Sequence, residues 1–490
     1  MSKAPAGLDR GSLGTAGMSF FTISASGPMV VLVGGVVTTL AATGVIGVPL
    51  SFLVLAVALW PFTVGYTTMS RHVSHAGVFY AYLARGLGRV WGVAAGLVAV
   101  VSYNAIQISL YGLLGATLTL LWPQVPLAWW MWAGLAWAAV ALLGILHINI
   151  NARVLAVLLI CEVGMILLFD IGAFTHPDGG SVSFAGLAPD KLLVGGIGGA
   201  LALGIAAFVG YESGPVYGEE AKGPGPVSRA TFGALFFLGL FYAFSSLALT
   251  VTLGPDKVVD AARDPQSGIP FSILSNLYGG WAAGLAGLLL VTSIFGALLS
   301  FHNTVARYVF AMSRERVLPP WLGRIGTGST GGAPIGGSLL QSVVALLVVV
   351  AFAATGADPL KTLFTWLSYL AAVGILLLMV GASLAVIGFF RRNPQAAETA
   401  WRRRIAPALG ALMLAVVLGI TVYNSGSVLG TQTFSAVIIV LPGIVALAAV
   451  VGVLWGMVLR ESRPTVYQAI GAGQTKPLAV LSHAFSDVEV

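Results

Sequence analysis

Hydrophobic positions along this chain fall in long, nearly uninterrupted blocks, separated by short polar stretches. A block of roughly 18 to 25 apolar residues, rising about 1.5 Å per residue, is long enough to cross about 30 Å of hydrocarbon as one helix. Blocks of this kind lie near 17–41, 46–69, 88–121, 126–147, 149–171, 193–218, 229–253, 281–313, 337–355, 361–389, 406–424 and 432–459. They are designated α1 to α12. The two longest, 88–121 and 281–313, are expected to tilt or to protrude from the bilayer. The polar stretches 70–87 and 314–336 are expected to hold short interfacial helices.

Two blocks are interrupted near mid-depth. Block α1 contains Ser24-Ala25-Ser26-Gly27-Pro28, and α6 contains Phe208-Val209-Gly210-Tyr211-Glu212-Ser213-Gly214-Pro215. Proline removes an amide donor and crowds the preceding turn, while glycine loosens the backbone. A lone proline kink is common in membrane helices. Here each interruption falls in the first helix of a five-helix group, α1–α5 and α6–α10, and paired interruptions of that kind mark the binding site of transporters built from inverted repeats. Unwinding frees amides and carbonyls that lipid cannot satisfy, so they must face a cavity or a ligand. Half-helix N-termini favour an anionic group and free carbonyls favour an ammonium or a metal cation, a pairing that suits a zwitterionic amino acid. The residues of the breaks, Ser24, Ala25, Ser26, Gly27, Phe208, Val209 and Gly210, are therefore candidates for substrate binding.

Composition agrees with the pattern. The 490 residues are 58% hydrophobic and 8% charged, with 63 glycines, and the mean hydropathy is +0.95. That is too little charge to coat a water-soluble protein, and glycine lets membrane helices approach closely. The net charge of +7 does not indicate nucleic acid, because the basic residues are spread through short loops rather than gathered in one patch. Their distribution fixes an orientation instead. With the N-terminus inside, 20 of the 24 Lys and Arg residues lie on or near the cytoplasmic side, and only Lys191, Lys257, Arg263 and Lys361 lie outside. Basic residues gather on the cytoplasmic side, so an even helix number with both termini cytoplasmic is expected, in the cell (inner) membrane. No cleaved signal peptide is evident in Met1–Gly17. The single cysteine, Cys161, excludes an intrachain disulfide.

Only Glu162 and Glu212 of the 17 acidic residues read as lying well inside a span. A carboxylate at mid-helix costs roughly 2.5–3.5 kcal/mol on insertion scales and is a functional candidate by default. A low dielectric favours the neutral acid, so Glu212, inside the α6 break, is expected to carry or sense protons; bracing the unwound segment is the plainer alternative. Glu162 in α5 could take a proton, a cation or a substrate amine, or simply bind a neighbouring helix. Asn104 and Gln107 on α3 share a face and could line the cavity or bond between helices. His302 and Asn303 on α8 are read as braces. Ser293 and Ser300 on α8 are weak candidates for holding sodium with α1 carbonyls.

Several stretches together resemble the amino acid–polyamine–organocation (APC) permeases over roughly residues 14 to 460. They are Ser26-Gly27-Pro28 with Gly34-Gly35, the run Ala76 to Tyr82, Phe208 to Ser213 followed by Glu219-Glu220-Ala221-Lys222-Gly223-Pro224 and Arg229, and Asn303, Arg307, Ala311 to Arg314 and Leu318-Pro319. The resemblance implies an all-α membrane protein of about twelve helices with a LeuT-type five-plus-five inverted repeat and two C-terminal helices. The parts would be a cytoplasmic N-terminus (1–16), a first repeat (17–171), a second repeat (193–389), two further helices (406–459) and a cytoplasmic tail (460–490). It also implies alternating access to a site between α1, α3, α6, α8 and α10, with the substrate carboxylate on α1 amides and its amine on α1 and α6 carbonyls. Phe208 matches an aromatic gate, and Glu212 matches an acid that looks proton-responsive in a relative. Two departures stand out. Pro28 lacks an amide to donate, which leaves room for amines without a carboxylate. Glu162 falls near where several sodium-independent members carry a lysine, which reverses the charge.

The expected function is secondary active transport of an amino acid or small amine, proton-coupled, by symport or exchange. A sodium-coupled symporter of the same fold and a non-transporting sensor are the alternatives. The implied partners are a small-molecule substrate, a proton or sodium, and the lipid bilayer. No cofactor, metal-ligand cluster or nucleic acid is expected. Enzymatic chemistry is not expected either, because the six histidines are scattered and no nucleophile–base cluster appears.

Overall fold

The computed structural model describes residues 8, 11–146, 148–264, 267–326, 332–431 and 435–473. Lys3, Arg10, His147, Lys476 and His483, and most of the expected tail, lie outside them. Among the described residues the chain is all-α. Eleven helices are long and apolar enough to span a membrane, and Trp129–Gly144 adds a shorter apolar one of 16 residues. In chain order these are α1 Thr15–Thr43, α2 Val48–Ser70, α3 Arg89–Leu121, α4 Trp129–Gly144, α5 Ile148–Thr175, α6 Ile197–Tyr217, α7 Pro224–Leu253, α8 Gly280–Arg314, α9 Ile335–Ala354, α10 Pro359–Arg392, α11 Trp401–Tyr423 and α12 Ala436–Ser462. The sequence places all twelve, with ends shifted by a few residues. The expected interfacial helix in 70–87 is Val78–Gly86, whereas the described residues between α8 and α9 hold only the short 3-10 turn Pro320–Gly323.

One boundary changes the chemistry. Block α5, expected to stop at 171, continues to Thr175. Asp170 therefore lies inside a spanning helix and is 1% exposed. The expectation that Glu162 and Glu212 are the only embedded acids is corrected by this third carboxylate. Sequence hydropathy puts an Asp at a block's edge because the polar residue itself ends the apolar run.

Packing sorts the helices by burial. The most apolar stretch of α7 is 78% buried and that of α3 is 72%, but for α12 the figure is 17%. Helix α12 therefore lies at the periphery. Large apolar side chains such as Val57, Leu120, Ile160, Leu347 and Leu447 point outward, which is stable only against hydrocarbon. Both ends of the described chain reach one face of the bundle. There Leu13 exchanges backbone hydrogen bonds with Glu220 and Lys222, at 2.9 and 2.8 Å, and Arg85 Nε donates to Gly471 O at 2.8 Å. An even number of crossings requires this.

Small residues set the closest contacts. A Cβ on Gly410 of α11 would lie 2.7 Å from the backbone nitrogen of Phe62 on α2. Nothing flexible there can yield, so α11 is held against the α2 backbone by that missing side chain. Gly410→Val is predicted to force the two helices apart and to cost about 1–3 kcal/mol, the range for overpacking a tight contact. The check is thermal unfolding of the purified protein in detergent, and an unchanged midpoint would refute the contact.

Candidate functional site

The backbone of α1 is helical to Ser26, turns left-handed at Gly27 (φ 54°, ψ 74°) and restarts with Pro28 in the first position of the next helical piece. Glycine tolerates that conformation and proline needs no amide partner in a first turn, so the sequence writes the break directly. Helix α6 is α-helical over Ile197–Ala206, passes through Gly210 at φ 110°, and continues as a 3-10 helix over Tyr211–Tyr217. The second half of α6 is thus wound more tightly than a continuous spanning helix would be.

The two breaks meet. Ser26 Oγ donates to Val209 O at 3.4 Å, and Tyr242 of α7 donates to Ser26 O at 3.3 Å. A Cβ on Gly210 would lie 2.6 Å from Ala25 Cβ, so the α6 turn is seated against α1 only because it is glycine. Ser24, Ala25, Ser26, Phe208, Val209 and Gly210 are all brought together and buried. Phe208 sits in a ring of Phe52, Tyr211 and Tyr242, with centroids 6.0–6.5 Å away.

Glu212 is fully buried beside this junction. Tyr103 of α3 donates to its Oε1 at 2.7 Å, and the Gly210 amide donates to its Oε2 at 2.8 Å. Tyr66 of α2 holds the Glu212 carbonyl at 3.0 Å. The carboxylate therefore terminates one of the orphan amides that the α6 break creates. A change in its charge acts directly on the backbone of the break.

Glu162 lies within electrostatic reach of Tyr242, the tyrosine that donates to Ser26 O. Ser293 Oγ lies close enough to interact with that carboxylate, yet Glu162 Oε2 and Ser293 Oγ both lack a well-formed hydrogen bond. The Ser293 hydroxyl also lies 3.6 Å from where a Gly27 Cβ would be. Ser300 donates to Phe21 O at 2.7 Å. It is two turns further along α8 than Ser293, about 10 Å at about 1.5 Å per residue, so a single ion would touch at most one of the two.

The remaining candidates are tied elsewhere. Gln107 bonds to Tyr111 and accepts from Gln341 of α9 at 2.6 Å, joining α3 to α9. Asn104 donates to its own helix at Val100 O, with Oδ1 buried and without a partner. His302 is bonded to Ser338 of α9 at 2.7 Å, and Asn303 caps Arg307. His302 is the expected brace between helices, while these Asn303 bonds lie within α8. Two narrow clefts flank the junction. One is bounded by Pro28, Ile166, Tyr242 and Ser245, the other by Phe208, Val209, Ile205 and Met379, and neither is wide enough for more than about one water molecule. The junction is closed in this structure.

Sequence reading missed the aromatic and ionic partners. Tyr103, Tyr66 and Tyr242 carry no signal in an apolar helix until a neighbour is placed against them. The buried ion pairs lie on the face where the chain ends gather. Arg307 makes a two-pronged bond to Glu220, at 2.7 and 2.9 Å, with both side chains at most 1% exposed. The guanidinium lies 4.8 Å over the Tyr217 ring, which stacks on Phe21 of α1. Arg314 grips Glu219 at 2.7 and 2.8 Å. Burial pushes the Glu219 carboxyl up, but the hydrogen bonds and charge of Arg314 outweigh it and hold the acid below the usual range. Close by, Glu315 accepts from Tyr80 and from the Gly471 and Gly473 amides and bonds His75.

Comparison with known proteins places this architecture. Residues 13–453 match the model of the amino acid permease family. The arginine/ornithine antiporter ArcD1 of Lactococcus lactis subsp. cremoris is 27% identical over 270 residues, 52% of this chain and 49% of that one. The L-lysine transport protein of Corynebacterium glutamicum is 28% identical over 185 residues, 35% of each. The chain thus spans about half the length of the first curated relative and about a third of the second. The solved structure of MhsT in complex with L-phenylalanine superposes with a TM-score of 0.60 at 14% identity, covering 85% of this chain and 100% of that one. That likeness is one of fold, the LeuT-type five-plus-five repeat with two added helices.

Two measurements test the ionic face. Glu220→Gln strands a buried guanidinium and is predicted to cost about 3–5 kcal/mol, against under about 1 kcal/mol for Asp178→Asn, whose pair with Lys257 is exposed on both sides. Equal melting shifts would refute the ranking. Because the Glu219 acid is held below its unfolded value, its stabilisation is complete above the ordinary carboxylate range and is lost as pH falls beneath it. Melting measured down through acid pH is predicted to drop less steeply in Glu219→Gln than in the native protein.

Proposed function

Because this chain belongs to the amino acid permease family, we propose that it is a secondary active transporter of an amino acid or related small amine, working by alternating access. The observation that carries this reading is the meeting of two broken helices at one buried point, Ser26 on Val209 and Gly210 on Ala25. In the proposed mechanism the substrate amine displaces the Ser26 and Tyr242 hydroxyls from the carbonyls of Val209 and Ser26. Its carboxylate, when present, turns to the start of the helical piece after Gly27. Phe208 closes over it. Pro28 supplies no amide there, which suits substrates whose positive charge dominates. The names of the arginine/ornithine and lysine relatives favour the same class.

Proton coupling is assigned to Glu212. Protonation weakens its hold on the Gly210 amide and so loosens the α6 break, which ties the proton to the opening of the site. The charge split in the loops supports a cell-membrane orientation with both termini cytoplasmic, which makes the Arg307–Glu220 face the inner gate. Five helices of each repeat, 17–171 and 193–389, would then rock against one another. Sodium coupling through Ser293 and Ser300 is less favoured, because the two lie two turns apart and Ser300 is committed to Phe21 O.

Uptake of radiolabelled lysine, arginine or ornithine into proteoliposomes under an imposed pH gradient tests the scheme. Glu212→Gln is predicted to flatten the pH dependence. Tyr103→Phe, which removes one donor to that carboxylate, is predicted to shift the dependence without abolishing it. A full pH response in Glu212→Gln would end the proton role, and a requirement for sodium at constant pH would replace it.

A further inference from the structure

Helix α5 carries two buried carboxylates that the scheme above leaves without work. Glu162 and Asp170 are 2% and 1% exposed. Each retains an oxygen, Oε2 and Oδ1, that is buried and has no hydrogen-bond partner. Among the described residues neither forms an ion pair with any Lys, Arg or His. Glu162 has the unsatisfied Ser293 hydroxyl beside it and the Tyr242 phenol within electrostatic reach, and Asp170 accepts from Ser245 of α7 at Oδ2, at 2.9 Å. Each such group costs roughly 2.5–3.5 kcal/mol to place in a membrane helix. Structural glue would be expected to use both oxygens, and these carboxylates do not.

Their spacing is informative. Residues 162, 166 and 170 follow an i, i+4, i+8 pattern and lie along one side of the helix. Ile166, between the two acids, lines the apolar cleft whose other walls include Pro28 and Leu32 of α1 and Phe241, Tyr242 and Ser245 of α7. The cleft therefore runs from the α1 break to the serine that holds Asp170; neither carboxylate is among its walls, but each adjoins one, Asp170 through its bond to Ser245 and Glu162 within electrostatic reach of Tyr242. Eight residues of helix rise about 12 Å. Taking off about 2.8 Å for a charge-assisted hydrogen bond at each end leaves about 6 Å. That is the separation of the nitrogens across an extended chain of roughly four or five carbons.

We propose that Glu162 and Asp170 form a two-point cation subsite on α5. Glu162 takes the amine nearest the α1 break, Asp170 takes the distal ammonium or guanidinium, and the apolar cleft takes the methylenes. The ligand class is an alkyl chain with a cationic nitrogen at each end, either a basic amino acid or a linear diamine. The cleft widens to admit it when α5 and α7 part from the second half of α1. This assignment rests on the transporter reading and adds to it a residue, Asp170, that selects for charge at the far end of the substrate.

The test uses the purified full-length protein and ligand-induced thermal stabilisation, with lysine, ornithine and cadaverine set against norleucine, which has lysine's chain without the terminal nitrogen. The native protein is expected to prefer lysine over norleucine by at least about tenfold in apparent Kd. Asp170→Asn keeps a group that can bond Ser245 but removes the charge, and is expected to abolish that preference while leaving norleucine unaffected. Glu162→Gln is expected to weaken both ligands, and cadaverine most of all. Ser245→Ala retains the carboxylate and is expected to keep the lysine preference, which separates ligand binding from bracing. Undiminished lysine preference in a folded Asp170→Asn overturns the proposal. So does a native protein that binds norleucine as well as lysine, an outcome that leaves the transporter reading standing. Binding of no amine or amino acid at all removes both readings. Stabilisation by sodium alone, lost in both acid variants, would make this an inorganic cation site instead.

Discussion

In hydrocarbon, a backbone amide or carbonyl without a partner costs several kcal/mol, and helices α1 and α6 each break that rule in mid-span. The structure answers one break with the other. Ser26 supplies a donor to Val209 O, Tyr242 supplies one to Ser26 O, and the Glu212 side chain folds back to take the Gly210 amide. These side chains stand where a ligand's polar groups would otherwise have to be. Seating the two turns together requires a glycine at 210, because any Cβ would meet Ala25 at 2.6 Å. Neither break can change its shape alone, since each holds the other's loose ends.

The buried charges divide into two kinds. On the face where the chain ends gather, they are matched. Arg307 with Glu220 and Arg314 with Glu219 form two-pronged pairs, and Glu315 is filled by a tyrosine, a histidine and two backbone amides. Removing one partner from such a pair is costly, so these residues fix a closed arrangement. At depth Glu212 has both oxygens bonded, but the two α5 carboxylates are incompletely matched. Glu162 and Asp170 each keep an oxygen in reserve. Satisfied charge specifies a state, whereas unsatisfied charge waits for a partner.

Much of this was legible in the sequence, for identifiable reasons. Hydropathy found all twelve helices because a membrane imposes a length on each one. The Gly27-Pro28 and Gly210 breaks were readable because only glycine and proline permit such backbone. Glu212 stood out because a carboxylate in an apolar run has few innocent explanations. The misreadings also have causes. Asp170 was lost because an acid near a block's end looks like the end itself. Gln107 shares a face with Asn104, but it meets Gln341 from a helix more than 230 residues away, and periodicity within one helix says nothing about which neighbour that face will meet. Tyr103 was invisible for the same reason.

The two regions are linked through α6. Tyr217, at the end of the tightly wound segment that begins after Gly210, lies beneath the Arg307 guanidinium and stacks on Phe21 of α1. Phe21 in turn receives the Ser300 hydrogen bond through its carbonyl. The first half of α1 and the second halves of α6 and α8 therefore form one braced unit between the breaks and the ionic face. Opening that face means separating groups such as Arg307 and Glu220, each worth several kcal/mol when its partner is lost. Shifting a population from 1:99 to 99:1 requires about 5.5 kcal/mol of differential binding, which is comparable to one such pair. In the proposed transport cycle, a ligand that engages the carbonyls of the breaks and a deep carboxylate at the same time is the one placed to supply that difference.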